Sequence, residues 1–234
     1  MHVIVLASQK GGSGKTTLTG HLAIAAELAG KRPAVLIDTD PQGSLAAWWN
    51  VRKAESPAFA RSSVADLENK LRDLKGAGYS FAFVDTPPAI AEAISAVIAQ
   101  ADFVLIPTRP SPHDLRAVGS TVELVQEQGK PFAFVVTQSK ANTRLTVQAM
   151  AALSAHGVVA PSVIHDRIDY AASMIDGRTV LETDRNSRSA AEVEELWEFV
   201  YERLHVNTKA RKEEKPPRQK NKWVSFGSGN LPSE

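Results

Sequence analysis

The stretch Lys10-Gly11-Gly12-Ser13-Gly14-Lys15-Thr16-Thr17 constrains this chain more than any other part of it. It lies between a continuous apolar run, Val3-Ile4-Val5-Leu6-Ala7, and an alanine- and leucine-rich helical pattern that begins near Lys15. A strand, a glycine loop and a helix start in that order form a phosphate-binding loop. The glycines let the backbone curl so that several N–H groups converge on one anion. The helix N-terminus adds its partial positive charge at the same point. Lys15 can then reach β- and γ-phosphates, and the Thr16 hydroxyl can ligate the Mg²⁺ that travels with them. The loop departs from the general G-x-x-x-x-G-K-[ST] pattern. Where that pattern places its first glycine the chain has Gln9, and a second lysine, Lys10, stands just ahead of the glycines.

The surroundings of the loop read as a layered α/β domain. Short continuous apolar runs, the pattern of strands buried on both faces, occur at His2–Ala7, Pro33–Ile37, Phe81–Val84, Phe103–Ile106, Phe132–Val136 and, more weakly, Val158–Ile164. Helical patterns separate them at Thr16–Ala29, Leu45–Lys53, Val64–Lys75, Ala91–Gln100, Leu115–Glu127 and Thr146–Ala155. A last helix, Ser189–Leu204, carries Val193, Leu196, Trp197, Val200 and Leu204 on one stripe, as core packing requires. The alternation predicts a doubly wound, mostly parallel sheet with helices on both faces. Ligands of such sheets collect beyond the carboxyl ends of the strands.

Two acidic motifs fall at that edge. After the second strand comes Asp38-Thr39-Asp40-Pro41-Gln42, whose aspartates point the same way while the strand persists. After the third comes Phe83-Val84-Asp85-Thr86-Pro87-Pro88. An apolar strand ending in Asp is the Walker B pattern, in which the carboxylate holds Mg²⁺. Each motif alone is weak, because Asp often ends strands as a turn former. Together with the loop, in this order, they are specific.

On these three motifs the chain resembles the deviant Walker-A ATPases of the ParA/MinD superfamily and, within it, the small plasmid-type ParA DNA-partition ATPases. Pro107, Pro110-Ser111-Pro112 and Asp114 look family-like as well, and the similarity extends to about Leu204. The resemblance implies ATP and ADP as ligands with Mg²⁺. It gives Lys10 the part of the signature lysine that reaches across a nucleotide-sandwich homodimer to the partner's phosphates. Lys15 would contact phosphates of its own subunit within a cradle formed by Gly11, Gly12, Ser13 and Gly14. Thr16 would ligate Mg²⁺ and Thr17 would bind the α-phosphate. Asp40 matches the residue that orients the attacking water, Asp38 would support the Mg²⁺ shell, and Asp85 matches Walker B. The implied activity is slow ATP hydrolysis, stimulated by a centromere-binding ParB-like partner protein. Hydrolysis would release a dimer that holds DNA without sequence preference. A trans lysine makes turnover, dimer state and nucleotide state interdependent, so ATP acts as the glue of a switch.

Composition bounds the alternatives. The 234 residues contain no cysteine, which excludes disulfides, thiolate metal sites and nitrogenase-like reductases that share the loop. No apolar run approaches the length of a membrane span, and with the first strand beginning at His2 no signal peptide is expected. A cytoplasmic, nucleoid-associated protein is expected, with no membrane contact. Of 27 Lys/Arg and 26 Asp/Glu, seven and three lie from His205 onward, so that segment carries +4 and the remainder −3. Residues 1–204 are expected as the ATPase domain and 205–234 as a basic, flexible tail, either a nucleic-acid arm or a solubiliser. Trp223 and Phe226 hint at docking. Arg144, Arg167, Arg178, Arg185 and Arg188 are candidate phosphate contacts, with no motif for sequence-specific readout. Thr137-Gln138 and the Pro107–Pro112 loop lie at the right edge to meet a base. The six histidines show no ligand spacing. Competing readings are a MinD-like positioning ATPase at a membrane, a conjugation or cargo-positioning ATPase, and a synthetase that phosphorylates a carboxylate.

Overall fold

The computed structural model describes residues 1–88, 90–141 and 143–213. Within them the strands β1 (His2–Leu6), β2 (Ala34–Asp38), β3 (Ala58–Arg61), β4 (Phe81–Asp85), β5 (Phe103–Thr108), β6 (Phe132–Val136) and β7 (Val158–Val159) form one sheet. Its order is β3-β2-β4-β1-β5-β6-β7, and every pairing is parallel. The expected doubly wound α/β architecture is the one found. β1 sits at the centre, and the chain leaves it toward β2 on one side while β5 leads to β6 on the other. That reversal is the switch point at which such sheets open a crevice.

Alternating strand residues feed two cores, because successive side chains leave a strand on opposite faces. Ile4, Leu6, Leu36, Phe81 and Phe83 pack on one face beneath α1 (Lys15–Leu28), α2 (Ser44–Asn50), α7 (Ile168–Met174), α8 (Val180–Thr183) and α9 (Arg188–Glu213). Val3, Val5, Val35, Ile37, Ala82 and Val84 pack on the other beneath α3 (Leu67–Gly76), α4 (Ala91–Ala99), α5 (Pro112–Glu127) and α6 (Arg144–Ser154). The stripe Val193, Leu196, Trp197, Val200 and Leu204 is buried, as its spacing requires.

The differences from the sequence reading are local and have physical causes. The run Val158–Ile164 yields only two strand residues, because Pro161 has no N–H to give a ladder. The edge strand β3 is only four residues long, too short to stand out. Between β7 and α9 stand the helices α7 and α8, in a stretch the sequence reading left unassigned, and α8 is set by a capping box between Thr179 and Glu182. Helix α9 continues past Leu204 to Glu213. Residues 214–234, the greater part of the expected tail with Trp223 and Phe226, lie outside the described residues.

Candidate functional site

The glycine loop connects the end of β1 to the start of α1 at the switch point. Gly12 and Gly14 take φ of +72° and +97°, the left-handed region that side chains disfavour, and Gly14 is the residue that caps α1. These turns fold the loop back over its own helix. Lys15, only 7% exposed, sends its Nζ to donate to the Ser8 carbonyl at 3.2 Å and the Lys10 carbonyl at 3.5 Å. Burial lowers the Lys15 pKa, against the opposing pull of Asp85 and Asp40. Two side chains at the end of β6 pin the loop from outside. Thr137 Oγ1 donates to the Ser13 carbonyl at 2.8 Å, and Gln138 Nε2 donates to the Gly12 carbonyl at 2.7 Å. Lys10 stands exposed on the outer rim.

The acidic motifs meet the loop through the sheet register. Asp85 pairs with Leu6 on one side and Asp38 on the other, so both aspartates end beside the loop. Thr16 Oγ1 donates to Asp85 Oδ2 at 2.6 Å. Asp85 is 1% exposed, and burial pushes its carboxyl up to about 7 despite the Thr16 hydrogen bond and the Lys15 ammonium. Asp38 is buried too, and its two oxygens accept from the backbone N–H groups of Asp40 and Ala46 at 3.0 and 2.9 Å. Desolvation raises its pKa as well. Asp40 is half-exposed and its Oδ1 caps the following turn by accepting from Gln42 N–H at 2.9 Å. Thus Lys15, Thr16, Asp38, Asp40 and Asp85 converge, while Lys10 stands exposed on the other rim of the loop.

Two buried oxygens have no hydrogen-bond partner among the described residues: Ser13 Oγ inside the loop and Asp85 Oδ1 beside it. Buried polar atoms are nearly always satisfied, so orphans mark places where something else binds. The Thr16 hydroxyl and the Asp85 carboxylate, 2.6 Å apart, are the kind of oxygen donors Mg²⁺ takes when phosphates and water supply the rest. The site fits Mg²⁺ and a phosphate chain. No cluster of three or more His, Cys, Asp or Glu able to hold a metal by themselves occurs among the described residues.

A second cavity, about 200 Å³, opens beside the loop and is lined by Thr17, Gln138, Ile164, His165, Tyr170 and Met174 among others. Its apolar wall and depth suit a planar ring attached to the phosphate chain. Glu192 on α9 fixes that wall. Its Oε1 accepts from His165 Nδ1 at 2.8 Å and from Arg167 Nε and Nη2 at 2.9 and 2.7 Å. Its Oε2 accepts from His165 N–H at 3.1 Å and the Tyr170 hydroxyl at 3.0 Å. Despite burial, the Arg167 and His165 hydrogen bonds hold the Glu192 carboxyl below its ordinary value. Of these residues, sequence reasoning named Thr137-Gln138 as base-facing and missed the wall and Glu192. The Pro107–Pro112 loop instead borders the cleft on the Lys10 side.

The basic residues expected to meet DNA divide. Arg167 is committed to Glu192, Arg178 pairs with Asp176 at 2.8 Å and Arg185 with Glu194 at 3.1 Å. Arg144 and Arg188 make no ion pair among the described residues. Among the described residues no helix is long and apolar enough to cross a membrane.

Fold, loop and acidic edge together define a nucleotide-binding α/β protein of the P-loop class. The profile of the CobQ/CobB/MinD/ParA nucleotide binding domain matches residues 4–180. The chain belongs to that family, with ParA-type ATPases among its relatives. It is 31% identical over 198 residues to the maintenance of carboxysome distribution protein A of Halothiobacillus neapolitanus, covering 81% of this chain and 91% of that one. It is 28% identical over 239 residues to the chromosome-partitioning ATPase Soj of Thermus thermophilus, covering 86% and 96%. The septum site-determining protein MinD of Pyrococcus horikoshii, solved with Mg-ADP, superposes with a TM-score of 0.73 at 17% identity, over 88% of this chain and 98% of that one. That likeness is one of fold.

Proposed function

We propose that this chain is a Mg²⁺-dependent ATPase that works as a nucleotide-controlled homodimer, binding DNA without sequence preference in its ATP state and leaving it on hydrolysis stimulated by a ParB-like partner. The observation that carries the reading is the pairing of the Lys15 ammonium, folded into the loop, with the Thr16–Asp85 hydrogen bond and the orphaned Asp85 oxygen beside it. Phosphoryl transfer asks a protein chiefly for charge neutralisation and a placed water. Lys15 and the loop N–H groups supply the first within the subunit. Thr16 and Asp85 would hold Mg²⁺, which neutralises charge on the phosphate oxygens. Asp38 sets the Asp40 backbone through its N–H, and Asp40 stands half-exposed at the mouth, where it can orient water. Lys10, exposed on the rim, is free to act on a partner's nucleotide. The Mg-ADP complex of MinD and the partition activity named for Soj support this assignment.

A cargo-positioning ATPase is the second reading. It is favoured by the relative named for carboxysome distribution, which aligns with 81% of the chain. Both readings use the same switch and differ in what the partner protein carries.

Gel filtration and DNA binding, each measured with ATP, ADP and no nucleotide, test the proposal. A dimer and DNA retention seen only with ATP are expected. The Lys10→Ala variant should keep nucleotide binding and lose dimerisation or turnover. A wild-type protein that binds DNA equally in all three states, or a Lys10→Ala variant that dimerises and turns over normally, defeats it. ATP-dependent binding to liposomes in place of DNA would favour a MinD-like role.

A further inference from the structure

On the Lys10 side of the loop lies a cleft of about 700 Å³ whose lining includes Lys10, Arg109, His113, Asp114 and Lys140. Three permanent cations face one carboxylate, so the cleft attracts anions. Arg109, from the β5–α5 connection, holds a particular pose in it. Its Nε and Nη2 donate to Asp114 Oδ1 at 3.2 and 3.0 Å. Asp114 is buried, and its other oxygen is taken by the Ser111 hydroxyl, so the carboxylate is a fixed anchor. The third guanidinium nitrogen, Nη1, makes no hydrogen bond among the described residues. It lies 4.0 Å from where a Cβ on Gly12 would stand, directly over the glycine loop. The side chain is one-third exposed, 33%.

A guanidinium is a planar fork of five donors that can span two anions at once. Here one edge is already tied to a carboxylate, and the remaining end projects over a phosphate cradle. We infer that Arg109 is a phosphate-binding residue of this site: anchored by Asp114, it donates through Nη1 to a β- or γ-phosphate oxygen of a nucleotide at the outer side of the loop. The inference rests on the nucleotide-binding reading above and extends it to a residue outside the three motifs. The anchor matters because an arginine already held in place loses little side-chain freedom on meeting its ligand. Lys at this position would carry the charge but could not span carboxylate and phosphate together.

Equilibrium binding of ATP, ADP and AMP, each with Mg²⁺, to wild type, Arg109→Ala and Arg109→Lys tests this. One charge-assisted hydrogen bond to phosphate is worth about tenfold or more in affinity. Arg109→Ala should therefore weaken ATP about tenfold and leave AMP unchanged, with Arg109→Lys falling between. Loss for ATP alone places the contact at the terminal phosphate, and loss for ATP and ADP places it further in. Repeating the titration below and above the concentration at which ATP drives dimerisation assigns the phosphate. Loss at both concentrations means the chain's own nucleotide, and loss only above means the partner's. Unchanged ATP affinity, or an equal loss for all three nucleotides, overturns the inference while leaving the parent reading intact. Should Arg109→Ala fail to fold, the same comparison is read from Arg109→Lys. A wild-type protein that binds none of the three nucleotides sinks the parent reading and this inference with it.

Discussion

Replacing Asp85 by Asn should stabilise the nucleotide-free protein while damaging its Mg²⁺ site. The carboxyl is 1% exposed, one oxygen has no partner among the described residues, and burial pushes its pKa up to about 7 from an ordinary 3.8. Because the folded state holds this proton more tightly than the unfolded chain, the contribution to stability is complete below pH 3.8 and is lost as pH rises through about 7. The whole loss is about 4 kcal/mol. Asn is the neutral counterpart of the protonated acid, so it avoids that loss, though its amide N–H must find an acceptor at a cost of about 1–3 kcal/mol. The net expectation is a variant more stable by about 2 kcal/mol at about pH 8. That advantage disappears on going to about pH 5, where the wild-type carboxyl is protonated. His21 opposes this trend in both proteins. It is fully buried, donating from Nδ1 to the Thr17 carbonyl and accepting from Val180 N–H, and desolvation lowers its pKa to about 4. Its contribution of about 3 kcal/mol is lost as pH falls from 6.5 toward 4. In wild type the two groups partly cancel, so the variant should show the steeper acid loss. Urea unfolding of both proteins across this pH range, with and without Mg²⁺ and ATP, measures it. Added Mg²⁺ and ATP should stabilise wild type far more than the variant. Equal stabilities across the pH range, or a variant that is weaker at pH 8, would refute the reasoning.

Other substitutions probe the surroundings. Glu192→Gln keeps shape but removes the charge that binds Arg167, His165 and Tyr170. It should cost about 2 kcal/mol in urea unfolding and lower ATP and ADP affinity alike, leaving tripolyphosphate binding unmoved. Equal loss for tripolyphosphate would mean that the wall does not face the base. Gly177→Ala places a Cβ 2.4 Å from the Arg52 Cα at a φ of +80°, where backbone must shift. A loss of at least about 2 kcal/mol is expected, and an unchanged melting temperature would show that the contact yields freely. Asp40→Ala should leave the fold and ATP binding intact while trapping the ATP-bound dimer on gel filtration. Normal turnover in that variant would reassign the water-orienting role.

The parts of this protein that are legible in the sequence are those whose cause is local. Val3–Ala7 and Phe81–Val84 read as strands because burial on both faces forces unbroken apolar runs. The loop reads as a phosphate cradle because its glycines, Lys15 and Thr16 are contiguous. Ala58–Arg61 does not, since an edge strand paired on one side needs no such run, and β7 stops early at Pro161. Helices α7 and α8 are too short to show a period, although Thr179 and Glu182 carried a capping signal three residues apart. The wall of the second cavity is least legible. Glu192 joins His165, Arg167 and Tyr170 from more than twenty residues away, and only the docking of α9 brings them together.

The buried polar groups of this protein form two populations, and the contrast ties fold to function. One is satisfied throughout. Arg52 donates to Glu182 at 2.6 Å and to the Gly177 carbonyl at 2.7 Å, Glu182 caps Thr179, and His21 links the Val180 N–H to the Thr17 carbonyl. With the Glu192 cluster, these bonds lash α1, α2, α7, α8 and α9 into one frame around the second cavity. The other population is left wanting. Ser13 Oγ and Asp85 Oδ1 have no partner among the described residues, and Lys15 and Asp85 are held in surroundings that disfavour their charges. A polar frame that is complete except where phosphate and Mg²⁺ would sit resists collapse into its own site. Ligand binding then relieves a cost already present in the fold, so affinity and stability rise together. Thr17 joins the two populations, since it follows Thr16 in the glycine loop and its carbonyl holds His21. A change at the phosphate loop therefore reaches α8 through one imidazole, and through Glu182 and Arg52 it reaches α2, the helix that follows Asp40.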